Sequence, residues 1–175
     1  MMSIDIGLFV LRVLVGLLLA GHGAQKLFGW FGGTGLKGFS GWLASLGLKP
    51  ERIWALMAGL GEFGGGLLLA LGLLNPLGSL GIIGAMSMAI GLVHWEKGLW
   101  NTKGGYEFPL TLLAIGATIG LVGPGRYSLD ALLGFALPTP LIFWVGLVAV
   151  LTVVGYGLSL NLNRRRAVSR QQHAS

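Results

Sequence analysis

Long apolar runs decide what this chain can become. A bilayer core of about 30 Å is crossed by about 20 apolar residues in a helix. Runs of that kind cover residues 6–28, 53–74, 77–95 and 140–162, with a shorter one at 107–122. Within lipid such runs satisfy their own backbone polar groups as helices. Composition agrees, since 54% of the residues are hydrophobic and 10% are charged, against about 25% charged in a soluble domain. The expected fold is an all-α integral membrane protein. A four-helix transmembrane bundle occupies residues 1–135, a fifth C-terminal transmembrane helix residues 136–163, and a basic, disordered cytoplasmic tail residues 164–175. Asn75 and Pro76 alone separate the second and third runs, which predicts a tight helical hairpin, because proline stops one helix and can start the next.

Charge placement sets the expected topology. The first run is too long for a signal-peptide core and no basic segment precedes it, so it is read as a retained helix. With the C-terminal Arg164, Arg165, Arg166 and Arg170 in the cytoplasm and five spans, Lys37, Lys49, Arg52, Lys97 and Lys103 also fall inside. Only Arg126 falls outside. Nine against one is a strong positive-inside bias, and it puts the N-terminus outside. The basic residues are thus a topology signal and predict no nucleic-acid partner. The chain has no cysteine, which excludes disulfides, thiolate metal ligands and thiol redox chemistry on its own side chains.

Polar residues inside the runs carry the functional signal, because charges there are costly and face the bundle interior or water. The first run carries Arg12, His22, Gln25 and Lys26. At about 100° per residue, Lys26 lies about 40° from Arg12 and His22 about 80°, so they share one side with Gly16 and Gly23. Glu62 is the one charge within the glycine-rich second run, about 13 Å deep, and Arg12 or Lys26 is its expected partner. His94 closes the third run and Glu107 opens the fourth. Between them residues 94–109 concentrate polar and aromatic groups, including Trp100, Asn101, Lys103 and Tyr106. That stretch is read as a cap over a polar intramembrane site. The competing reading is that these charges are ion pairs fixing helix register.

Other features are weaker. A short interfacial helix is expected over 39–48, with Trp42 at headgroup level, as an anchor rather than a ligand-covering lid. Ser128 is expected to cap a short turn, and Arg126 and Asp130 to pair across one helical turn. His22, His94, Glu62 and Glu107 are of ligand type, but no spacing among them is diagnostic of a metal site. Met86 and Met88 read as gap fillers.

Taken in order, Leu11-Arg12, His22-Gly23-x-Gln25-Lys26-Leu27, Gly29-Trp30-Phe31-Gly32-Gly33, Glu62 with Gly65-Gly66, Trp100 to Phe108 and Gly123 to Asp130 form a pattern that resembles the DoxX family of small bacterial membrane proteins. The resemblance covers roughly residues 5–133, and Asn101-Thr102-Lys103-Gly104-Gly105-Tyr106-Glu107 is its most specific part. It implies a four-helix bundle in the bacterial plasma (inner) membrane. It also implies association with quinone-linked sulfur oxidation, or with complexes of soluble redox enzymes acting in oxidative-stress and thiol homeostasis. The fifth run and the basic tail are additions to that pattern.

Three functions are compatible with these features. The first is a redox membrane subunit with quinone as its expected cofactor. There Glu62 and His22 are the candidate catalytic residues, and Arg12, Lys26, His94, Trp100, Asn101, Lys103, Tyr106 and Glu107 the candidate ligand-binding ones, with Trp30, Trp100 and Tyr106 walling the ring. The second is a non-catalytic anchor that recruits soluble redox enzymes through its loops and tail. The third is a small-solute transporter, against which stands the lack of an inverted repeat. The small-residue faces at Gly84, Gly91, Gly116 and Gly120 suit internal packing or a homo-oligomer.

Overall fold

The structure, a computed structural model, describes residues 2–135 and 137–174. Met1, Ala136 and Ser175, where the expected domain limits fall, lie outside the described residues. Among the described residues seven α-helices follow in order: α1 (Met2–Leu27), α2 (Gly35–Ser45), α3 (Glu51–Leu71), α4 (Leu77–Ala89), α5 (Glu107–Val122), α6 (Leu129–Leu133) and α7 (Thr139–Ala174). Among the described residues there is no strand. The helices α1, α3 and α7, and α4 with its extension to Lys97, are long and apolar enough to cross a membrane. At 16 residues, α5 is shorter, about 24 Å. The protein is an all-α membrane bundle.

Glycine lets the first three long helices close up. Gly16 of α1 faces Gly66 and Ala70 of α3, and a Cβ on Gly16 would stand 2.5 Å from the Gly66 carbonyl oxygen. On the other side of α3, a Cβ on Gly65 would stand 2.9 Å from the carbonyl oxygen of Gly78 in α4. Such backbone approach is how membrane helices gain contact without a hydrophobic driving force. α1 with α3, and α3 with α4, are antiparallel. α7 runs parallel to α4, with Leu80 against Gly146, Gly84 against Val150 and Gly91 against Leu158. Gly116 and Gly120 of α5 meet Ile82 and Ser79 of α4. The four glycines that suited either packing or association are therefore spent inside the bundle. The main core gathers Val15, Leu19, Leu69, Ile82, Met86, Leu112 and Ile119.

The two ends of the bundle differ. At one, α3 stops at Gly72 (φ 62°) and the Leu74–Asn75 turn begins α4. The Asp130 carboxylate accepts from the N–H groups of Leu74 at 2.8 Å and Asn75 at 2.9 Å. This corrects the expected Arg126–Asp130 pair. Asp130 is buried against the hairpin, while Arg126 is exposed and its backbone N–H donates to Asp5. One buried and one half-buried N–H donor at the hairpin outcompete a solvated guanidinium for that carboxylate. Ser128 caps α6 by accepting from Ala131 N–H at 3.2 Å.

The other end collects the end of α1, α2, the start of α3, the loop between α4 and α5, and the end of α7. Lys37, Lys49, Arg52, Lys97, Lys103 and the four C-terminal arginines all belong to it. The basic tail, expected to be disordered, continues α7 as helix. Local contacts explain it: Asn161 donates to Leu46 O at 2.6 Å, Arg164 to Ser45 O, and Arg165 pairs with Glu96. These tie the first turns beyond the apolar run to its neighbours, and the helix propagates from them.

Candidate functional site

Lys26 and Glu62 meet at the basic end of the α1–α3 seam. They form an ion pair, with Glu62 2% exposed. Among the described residues Glu62 Oε2 has no hydrogen-bond partner. On its other side the Lys26 ammonium stands 5.2 Å from the centre of the Phe39 ring of α2, a cation–π distance. One cation thus joins α1, α3 and α2.

Beside this pair lies a cavity of about 500 Å³ bounded by α2, α3, α4 and α7. That volume falls within the usual range for small-molecule sites, about 300–1,000 Å³. Its aromatic lining comes from Phe39 and Trp42 of α2 and Trp54 of α3. Met57, Ala58 and Gly61 continue the α3 wall, and Ala149, Val150, Val153 and Val154 form that of α7. Lys26 and His94 are the ionisable residues on the lining.

His94 reaches the cavity where α4 widens into a π turn over Ile90–His94. Such turns recur at functional sites. Here three successive residues, Leu92, Val93 and His94, all line the cavity. His94 Nδ1 lies 2.6 Å from Gly104 O. A carbonyl can only accept, so Nδ1 carries the proton, and in the neutral ring Nε2 is left as an acceptor. Among the described residues Nε2 has no partner.

The other expected site residues lie elsewhere. Arg12, 1% exposed, lies mid-way along α1 near the hairpin end of the bundle, beside Gly72, and donates to Ala70 O at 3.2 Å; among the described residues its Nε has no partner. Between the two expected partners of Glu62, the structure selects Lys26. The His22 ring lies 6.3 Å from that of Phe108 and does not line the cavity. The loop after His94 bonds to itself. Tyr106 N–H donates to Gly98 O, Gly105 N–H to Trp100 O, and Asn101 N–H to the Glu107 carboxylate at 2.8 Å. Tyr106 stacks on Trp95. Trp100, Asn101 and Lys103 are exposed. This loop supplies Gly104 O to His94 and no wall of the cavity. Among the described residues no three His, Asp or Glu side chains converge.

The cavity's aromatic wall was not expected from sequence. Its signal was present in α3, where Trp54, Ala58, Gly61 and Gly65 recur at helical spacing on one face. For α2 the signal was ambiguous, because the same aromatic residues suit an interfacial anchor.

A sequence profile of the DoxX family matches residues 7–95. This chain belongs to the DoxX family. No curated protein and no solved structure matches it. The DoxX match contains Lys26, Glu62, His94 and the walls contributed by α2, α3 and α4. It ends before Trp100–Glu107 and before α7. The cavity is therefore a DoxX core closed on one side by a helix outside the matched region.

Proposed function

We propose that this DoxX-family protein is the membrane subunit of a quinone-linked redox system, with the quinone ring held in the cavity between α2, α3, α4 and α7. The observation that carries this reading is the wall itself: an apolar, aromatic cavity of about 500 Å³ in which the polar residues are one cation and one histidine. A quinone ring is flat, apolar on its faces and an acceptor at two carbonyl oxygens, and these residues fit it. Phe39, Trp42 and Trp54 offer ring faces. The Lys26 ammonium, held by Glu62, is a donor to one carbonyl. His94, fixed through Nδ1, presents Nε2 to accept a proton from a ring hydroxyl or, when protonated, to donate to the other carbonyl. Glu62 Oε2, buried and without a partner among the described residues, is the group placed to relay a proton to or from Lys26. A quinone, when bound, supplies the electron acceptor that this cysteine-free chain lacks. In this reading the protein sits in the bacterial inner membrane with its N-terminus outside and its basic end in the cytoplasm.

Native mass spectrometry and solvent extraction of the gently purified protein test the proposal. Stoichiometric quinone, lost in Glu62→Gln, is the expected result. A ligand-free protein carrying a soluble redox enzyme would transfer the reading to an anchor. One observation favours that second role. α7 is 36 residues long, about 54 Å, well beyond the about 30 Å of a bilayer core, so its last turns after Arg165 extend as helix past the apolar span. Deleting residues 167–175 would then release the partner without changing quinone content.

A further inference from the structure

We infer that the ligand of this cavity is a long-tailed membrane lipid quinone that passes sideways from the bilayer between α3 and α7 and leaves its tail in that gap. The inference rests on the ring-site reading above and adds the class of quinone and its route.

The cavity carries polar side chains at two points and is apolar along the rest of its wall. Its α4 wall runs from Leu80 to His94, about 20 Å of helix. Of its two polar groups, His94 closes the basic end, and Lys26 stands partway along, where its partner Glu62 lies next to Gly61, which packs on Gly81 and Ala85 of α4; Leu80, Gly84, Ala149 and Val150 are apolar wall. A long slot with two polar groups and hydrocarbon along the rest of its wall matches an amphiphile with a polar ring and an apolar tail, and leaves a small polar solute mostly uncontacted.

Its mouth faces lipid. Met57 of α3 and Val153 of α7 both line the cavity, yet are 46% and 39% exposed. Ala149 on the same α7 wall is exposed too. Met57 lies about two turns inside α3, and Val153 about three turns before Arg164, so both sit within the apolar spans. Exposure at that depth is exposure to hydrocarbon.

The aqueous end is covered. α2 lays Phe39, Trp42 and Leu43 over it and is held from two directions, by Lys26 against Phe39 and by the Asn161 and Arg164 donors on its last carbonyls. A ligand from water would have to lift α2. A ligand dissolved in lipid needs no such movement.

The absence of cysteine makes a direct test possible. Cysteines replacing Met57 and Val153 would be the only thiols on the full-length protein, and a short bis-maleimide would bridge them across the mouth. Unsubstituted, unbridged and bridged proteins are reconstituted in vesicles containing an eight-isoprene ubiquinone. Each is recaptured in detergent and its quinone measured by solvent extraction and chromatography. The bridged protein should take up less than a tenth of the quinone taken up by its own unbridged form. Val153→Trp, which fills the mouth from an exposed position, should slow uptake at least fivefold. Equal uptake by bridged and unbridged proteins, with Val153→Trp unchanged, overturns the lateral route and leaves the ring site standing. No uptake by the unsubstituted protein, with phospholipid recovered instead, overturns the ring site and this inference with it.

Discussion

Lys26 of α1 and Glu62 of α3 pair across an antiparallel seam whose register is fixed by backbone contact at Gly16 and Gly66. The pair stands beside the cavity and under Phe39 of α2. It therefore belongs both to the packing of the bundle and to the site, and the two roles separate under mutation.

Removing one partner leaves the other charge buried. Lys26→Met should destabilise the protein by about 3–5 kcal/mol, read as an earlier unfolding midpoint in denaturing detergent. The double variant Lys26→Met/Glu62→Leu should recover most of that loss, because an apolar pair of similar volume is tolerated. Neither protein should retain quinone. Recovery of quinone in the double variant would reduce the pair to structural glue.

Gly66→Val tests the seam itself. The new side chain starts from a Cβ 2.5 Å from Gly16 O, where only backbone can give way. Overpacking costs about 1–3 kcal/mol or more. The expected outcome is loss of the Lys26–Glu62 contact, seen as a shifted thermal transition together with lost ligand.

Asp130→Ala acts at the far end. It strips the acceptor from the N–H groups of Leu74 and Asn75, at about 1–3 kcal/mol for each donor left buried and unpaired. Stability should fall while quinone per protein in the folded fraction stays unchanged, since Asp130 lies away from the cavity.

Asn161→Ala with Arg164→Ala removes the donors that hold the last carbonyls of α2. Each hydrogen bond contributes about 0.5–1.5 kcal/mol, so global stability should change little. Amide hydrogen exchange across α2 should quicken about tenfold, with α3 and α4 unaffected.

Topology is tested with single cysteines at two exposed positions, Arg126 and Ser169. In intact cells a membrane-impermeant maleimide should label Arg126→Cys and spare Ser169→Cys. The reverse pattern would invert the orientation proposed from the lysine and arginine bias.

The spans, the Asn75-Pro76 hairpin and the Ser128 cap were legible because each follows from local chemistry: apolar length, a proline that cannot continue a helix, a hydroxyl before a short helix. The partner of Glu62 was legible only to within two residues. Arg12 and Lys26 lie about 40° apart on one face, so helical angle cannot choose between them. The choice comes from the α1–α3 register, and that depends on which glycines meet. The stretch after His94 drew attention as a cap because polar groups in an apolar chain need partners. Its partners turned out to be its own, as with Asn101 N–H on Glu107. The cavity wall from α7 was beyond sequence reach, since Ala149, Val150 and Val153 differ in no local respect from lipid-facing neighbours such as Val145 and Val148. Only the parallel docking of α7 on α4 separates them.

The most direct test of the central claim is photolabelling of the purified protein with an azido-quinone, followed by peptide mapping. Labels are expected on the cavity wall, at Phe39, Trp42, Trp54, Met88 or Val153, competed by unlabelled quinone and lost in Lys26→Met/Glu62→Leu. Labels scattered over lipid-facing positions such as Leu14, Leu17 and Trp144, unaffected by competitor, would contradict that claim.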